Sequence, residues 1–181
     1  CTVSARPKPC HVPCFAYHPR MQIRPETPAD HAAIRAVVTA AFARPDEAAL
    51  VEQLRHDGDA AISLVAEADH AIIGHVLLSP MTAPFAALGL APLSVLPAHQ
   101  QRGVGSELMH AAIDAARATG AAAIFLLGNP AYYRRFGFSA EAAKPFASPY
   151  AGPHFMALPL VDPLPATHGA VAYAAAFGVL G

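Results

Sequence analysis

Leu93–Met109, LSVLPAHQQRGVGSELM, is the stretch on which the fold turns. A short apolar run gives way to a polar, basic approach, and then to Gly103 and Gly105 at the mouth of a helix predicted over Gly103 to Thr119. Glycines in that place either form a plain turn or let backbone N–H groups close around an anion at the helix N-terminus. A phosphate loop of the nucleotide-hydrolase type would need a Gly-Lys-Ser/Thr ending, which the chain lacks. A dinucleotide fingerprint would need a third glycine where Leu108 stands, and would place the glycines directly after the strand; here six residues separate Leu96 from Gly103. The third reading makes the polar approach part of the site. Gln100-Gln101-Arg102-Gly103-Val104-Gly105 fits Q/R-x-x-G-x-G/A at a strand–loop–helix junction, with Ser106 following and Arg102 adding charge at the rim. That arrangement suits a pyrophosphate held by several amides at once.

Upstream, MQIRP from Met21 reads as a first strand, and Thr27-Pro28-Ala29-Asp30 as a helix start. Ile34, Val37, Val38, Ala41 and Phe42 follow at helical spacing. Arg44-Pro45-Asp46 ends that helix and DEAALVEQLRHD forms a second, with Leu50, Val51 and Leu54 on one face. AISLVAEA and AIIGHVLLSP read as two strands joined across Asp69-His70. In the strand APLSVL, Pro92 cannot donate to a ladder, so a bulge is predicted there. Downstream, AAIFLL is a buried strand, Asn129-Pro130 opens a short helix that ends at Gly137, and HFMALPL and AVAYAAAF are later strands. Ser139 to Pro153 reads as irregular. Strands alternating with helices in the second half give a mixed α/β fold.

The chain has 181 residues, enough for one domain with a sizeable core. A formal charge of −1 gives no global field toward nucleic acid or an anionic membrane, and no apolar run reaches membrane-spanning length. Cys1, Cys10 and Cys14 all fall within the first 14 residues. Such clustering fits a reducing, cytoplasmic setting better than a disulfide-stapled domain. With His11 and His18 nearby they match no usual zinc spacing, so no metal site is expected. Residues 1–20, with four prolines and no acid, read as a disordered or upstream-translated extension, and residues 21–181 as a single domain.

A second segment gives the glycine motif its meaning. AYYRRFGF contains Tyr-x-x-x-Gly-Phe, starting at Tyr133, 28 residues after Gly105. Together the two segments resemble the acetyl-CoA motif and second cofactor segment of the GNAT superfamily of N-acetyltransferases. The resemblance runs from about Met21 to Leu160, and MALPL with GAVAYAAAF is similar to the tail of a bacterial subgroup. It implies a central mixed, mostly antiparallel sheet, splayed between the strand before the glycine loop and the next one, flanked by about four helices. It also implies direct transfer of acetyl from acetyl-CoA to a primary amine of a small molecule or peptide, by a monomer or homodimer. On this resemblance the backbone from Gln101 to Ser106 holds the pyrophosphate, and that of Leu93, Ser94 and Val95 polarises the thioester. Tyr133 protonates the departing thiolate, while Asn129 and Tyr132 touch the cofactor. No carboxylate stands in LAPLSVL, where many relatives carry one. That leaves Glu47 as the candidate base, with Glu52, His75 or a water as other possibilities. The missing carboxylate also keeps open a non-catalytic acyl-CoA-binding sensor.

Overall fold

The computed structural model describes residues 21–179; the expectations for the N-terminal extension and its cysteines lie outside them. In chain order the elements are β1 (Gln22–Pro25), α1 (His31–Phe42), α2 (Asp46–Asp57), β2 (Ile62–Ala68), β3 (Ala71–Met81), β4 (Ala87–Val95) and α3 (Val104–Ala118). There follow β5 (Ala123–Leu127), α4 (Pro130–Tyr133), α5 (Ala140–Ala143), β6 (Phe146–Ala147), β7 (Phe155–Pro159) and β8 (Gly169–Ala170). Six strands form one sheet in the order β1-β2-β3-β4-β5-β7, antiparallel except for the parallel β4–β5 pair, while β6 and β8 form a small parallel pair.

Both faces of the sheet are covered, which is why β3 is a nearly continuous apolar run. On one face α3 buries Val104, Leu108, Met109, Ala112, Ile113 and Ala116 against Ile62, Leu64, Val76 and Leu78. On the other, Ile34 and Val38 of α1 and Leu50, Val51 and Leu54 of α2 cover Val65 and Leu77. The stripe at i, i+3, i+4 that predicts each helix is the stripe that faces the sheet. β2 and β3 join across Asp69 and His70, both at positive φ (50° and 62°), as a two-residue hairpin with the strands' own twist requires.

The predicted bulge is present. The β3–β4 register shifts between Val76 and Leu78, leaving Ala91 and Pro92 opposite Leu77. The β4–β5 ladder runs only from Ala87↔Ala123 to Leu90↔Leu126, so beyond Leu90 the two strands part. The proline therefore stands where a strand turns away from its neighbour.

Two expectations are corrected. AVAYAAAF is not a strand: only Gly169–Ala170 pairs, with one further bridge between Ala172 and Thr82, and Ala175–Val179 is a 3-10 helix. Alanine has little strand preference, and the structure uses the segment to bury Ala176 against α1 and α2. Ser139 to Pro153 is also less irregular than it reads. Ser139 Oγ accepts from Ala142 N–H at 3.0 Å and starts α5, and Phe146–Ala147 forms β6. Among the described residues, three long helices and two of four residues accord with the expectation of about four flanking helices.

Candidate functional site

The glycine loop is arranged as an anion cradle. Gln101 and Gly103 both have positive φ (59° and 88°), which turns successive amides toward one side. Ser106 and Glu107 N–H groups already donate to Gly103 O at 2.9 and 3.1 Å. Among the described residues, no such bond is made by the N–H groups of Gln101, Arg102, Gly103, Val104 or Gly105. Those five amides at the positive end of a 15-residue helix fit a pyrophosphate, and Arg102 is exposed beside them. The Ser106 amide, expected in this set, is taken up by the helix. Gln100 reaches back instead, its Nε2 donating to Val95 O at 3.1 Å. Space above Gly105 is occupied: a Cβ there would lie 2.6 Å from Tyr132 Oη.

The open edge of β4 comes next. Leu96 N–H donates to Ile73 O at 2.9 Å, which fixes the hydrogen-bond parity of the ladder. In an antiparallel pair the bonded residues alternate, so Ser94 turns its backbone groups to His75 of β3 while Leu93 and Val95 turn theirs away. The free N–H groups at the splay thus belong to Leu93 and Val95; Ser94 is expected among them from sequence but faces the other way.

A cavity of about 740 Å³ opens between the parted strands. Leu93, Asn129, Tyr132 and Tyr133 line one side of it, and Arg44 and Glu47 another. Asn129 caps α4, its Oδ1 accepting from Ala131 N–H at 2.9 Å. The Tyr132 and Tyr133 rings meet edge to face at 4.9 Å, and Arg135 lies 4.1 Å over the Tyr132 ring. Burial, with the neighbouring Tyr132, pushes the Tyr133 hydroxyl up to about 12, so it stays protonated at ordinary pH. Tyr132 is also raised by burial, against the pull of Arg135 and Ser106.

The candidate bases separate clearly. Glu47 is buried at the cavity wall, both its oxygens accepting from Arg44 Nε at 3.0 and 3.1 Å. Arg44 and Phe42 are carried there by Ala43, whose φ of 56° turns the chain between α1 and α2. Glu52 lies outside the cavity, paired with Arg35 at 2.5 Å on the exposed surface. His75 is fully buried away from it. Its Nε2 is 2.8 Å from Ser63 Oγ, which donates to Glu26 Oε2 at 2.6 Å, and Arg55 holds that carboxylate at 2.6 Å. Burial lowers the His75 pKa, with Glu26 opposing. Burial would raise Glu26, but His75 close by at 3.6 Å, with hydrogen bonds from Arg55 and Ser63, more than offsets this and holds it well below the carboxylate range. These groups form an internal strut rather than part of the cavity.

Sequence reading missed Phe42, Arg44, Tyr150, Tyr173 and Phe177, which complete the cavity wall. They come from three separate loops or helix ends and form no motif; the nearest signal is a Tyr and a Phe four apart in an otherwise alanine-rich tail. Among the described residues no cluster of His, Cys, Asp or Glu is placed to hold a metal ion, and no helix is long and apolar enough to cross a membrane.

Comparison with known proteins accords with this geometry. The family model of the acetyltransferase (GNAT) family matches residues 24–138. The uncharacterised N-acetyltransferase YhbS of Escherichia coli K12 is 38% identical over 126 residues, 67% of this chain and 75% of that protein. A crystal structure of Escherichia coli YhbS in complex with CoA superposes with a TM-score of 0.84 at 33% identity, covering 91% of this chain and 95% of that one. A GNAT family acetyltransferase from Brucella melitensis, in complex with acetyl-CoA, gives 0.76 at 39% identity over 88% and 99%. The chain belongs to the GNAT acetyltransferase family.

Proposed function

We propose that the protein uses acetyl-CoA to acetylate a primary amine by direct transfer. The observation that carries this reading is one continuous surface. Five unpaired amides at a helix N-terminus and the unpaired β4 edge lead to a cavity holding a protonated tyrosine and one carboxylate. Complexes of two similar proteins with CoA and acetyl-CoA support it.

When bound, acetyl-CoA supplies an electrophilic acyl carbon and a thiolate leaving group. The amides from Gln101 to Gly105, with Arg102, hold the pyrophosphate. Leu93 and Val95 N–H face the gap in which the thioester carbonyl would lie, and donors aimed there stabilise the charge that grows on its oxygen. Ser94 sets the register that turns those two outward. Tyr132 fixes the approach to the loop, and Asn129 lines the way between. As the amine nitrogen bonds to the acyl carbon and the carbon–sulfur bond breaks, Tyr133 Oη–H gives its proton to the sulfur. Glu47, the carboxylate on the cavity wall, takes the proton lost by the amine, through a water.

Thermal melting with and without acetyl-CoA, followed by thiol release over a panel of amines, tests the reading. A rise in melting temperature that Gly105→Glu abolishes, together with acceptor-dependent thiol release, is expected. An unchanged rise in the variant would move the cofactor elsewhere. Binding without thiol release over a broad panel would favour an acyl-CoA sensor of the same fold.

A further inference from the structure

Within that reading, we infer that the acceptor is a monoamine carried on an aromatic or branched apolar body, docked against Tyr150, Tyr173 and Phe177. Four large apolar side chains are notably exposed among the described residues: Phe42 (38%), Leu127 (52%), Tyr150 (41%) and Val161 (43%). Three of the four line this one cavity, all but Val161. Exposed apolar groups gathered in a concave site mark a surface that a ligand covers.

The aromatic wall is built rather than incidental. The Tyr173 ring lies over β4 at Gly89, where a Cβ would come within 2.6 Å of its Cε1. Tyr150 meets it edge to face at 5.7 Å, and the Phe177 ring lies 4.7 Å away, tilted by 38°. Tyr173 Oη is buried and hydrogen-bonds to nothing in the described structure. Its ring faces the cavity, and burial, with Tyr150 and Tyr133 nearby, raises its pKa. A buried hydroxyl without a partner is costly, and a polar group on a ligand in the cavity would supply one.

Charge narrows the class further. The cavity lining holds one carboxylate, Glu47, and Arg44 lies against it, so the two charges cancel. A single amine can meet Glu47 as the neutral base that attack requires, and leaves that balance undisturbed. A polyamine or aminoglycoside would bring several cations into a wall of aromatic and aliphatic groups and leave them without counter-charges. A single amine on a ring matches both features: the ring covers the exposed apolar groups, and the nitrogen meets Glu47.

Calorimetry and thiol release on the CoA- and acetyl-CoA-loaded protein compare 2-phenylethylamine and tryptamine with spermidine and kanamycin. At least tenfold tighter binding and tenfold higher kcat/KM are expected for the aromatic amines. Tyr173→Phe keeps the ring over Gly89 and is expected to raise the KM of tryptamine, whose indole N–H can donate to Tyr173 Oη, about 5–10-fold, the size of one lost hydrogen bond, with the acetyl-CoA KM unchanged. Equal or better use of spermidine or kanamycin overturns the inference, as does a Tyr173→Phe effect confined to acetyl-CoA. So does failure of either aromatic amine to bind while acetyl-CoA still raises the melting temperature, a result that leaves the acetyl-CoA reading standing. Absence of any acetyl-CoA effect overturns both.

Discussion

Gly105→Ala separates folding from cofactor binding. Gly105 lies in the first turn of α3 with an ordinary helical backbone, so alanine is the better helix former there by up to about 1 kcal/mol. Fold stability should hold or rise. The new methyl would, however, sit 2.6 Å from Tyr132 Oη, against 3.4 Å for ordinary contact. Tyr132 must shift by about 0.8 Å, the difference between those distances, and it is held between the Tyr133 ring at 4.9 Å and Arg135 at 4.1 Å. Displacing Tyr132, the side chain beside the loop, disturbs the approach to the amides. Losing one charge-assisted hydrogen bond to a phosphate costs about 1.5–3 kcal/mol, so Kd for acetyl-CoA should rise tenfold or more. With ligand at roughly 100 times the wild-type Kd, mass action stabilises the wild type by about 2.7 kcal/mol, and a tenfold weaker variant by about half that. At about 2–4 °C per kcal/mol the ligand-induced shift should fall from roughly 5–11 °C to about half, while the unliganded melting temperature stays level or climbs. Calorimetric titration gives Kd directly. A variant that folds as well as wild type and binds with unchanged Kd would refute the cradle. A variant that loses ligand-free stability would refute the expectation that Tyr132 yields to the methyl without cost to the fold.

Tyr133→Phe should lower kcat on the order of 10²-fold with little change in acetyl-CoA Kd, because the ring stays and only the proton donor goes. As burial raises the Tyr133 pKa to about 12, wild-type kcat should show no basic limb from this group below about pH 10; a Tyr133-dependent limb near neutrality would contradict that. Glu47→Gln should cost about 10–10²-fold in kcat/KM with little change in acetyl-CoA Kd, and an undiminished rate would pass the base role to water alone. His75 has a lowered pKa in the fold, so below its ordinary 6.5 the unfolded chain binds a proton that the folded chain does not. Stability is then full above about pH 6.5 and falls on acidification, by up to about 1.4 kcal/mol per pH unit for this one proton, with Glu26 adding loss in the same direction below its ordinary 4.5. His75→Gln should flatten the melting temperature between pH 6.5 and 5, and a wild-type slope in that variant would assign the proton elsewhere.

The long helices and main strands were legible because their burial repeats locally. Ile34, Val37 and Val38, or Leu108, Ala112 and Ala116, announce a buried face at helical spacing. Pro92 announced the bulge because its missing N–H restricts where it can stand in a sheet. The tail and the Ser139–Pro153 segment are not legible in the sequence because alanine and proline carry little periodic signal. Tertiary contact decides those pieces: Thr82 bridging Ala172, and β6 pairing with β8.

The site divides along the same physical line. Its cofactor half is made of backbone, and backbone geometry leaves marks in contiguous sequence: Gly103 where φ is positive, Gly105 where a side chain would collide, a proline where the ladder stops. A family can keep such a half recognisable while everything around it changes. On the proposed reading the acceptor half is made of side chains from the α1–α2 turn, the loop before β7 and the C-terminal segment that ends in a 3-10 helix, and topology alone brings them together. Nothing in the order Phe42, Arg44, Glu47, Tyr150, Tyr173, Phe177 signals a site. Sequence distance and the absence of a shared backbone constraint also leave each position free to change singly. The glycine motif therefore speaks to the acyl donor and carries no information about the acceptor. On the proposed reading, selectivity among amines would rest on side chains such as Tyr173, whose hydroxyl has no partner within the described structure.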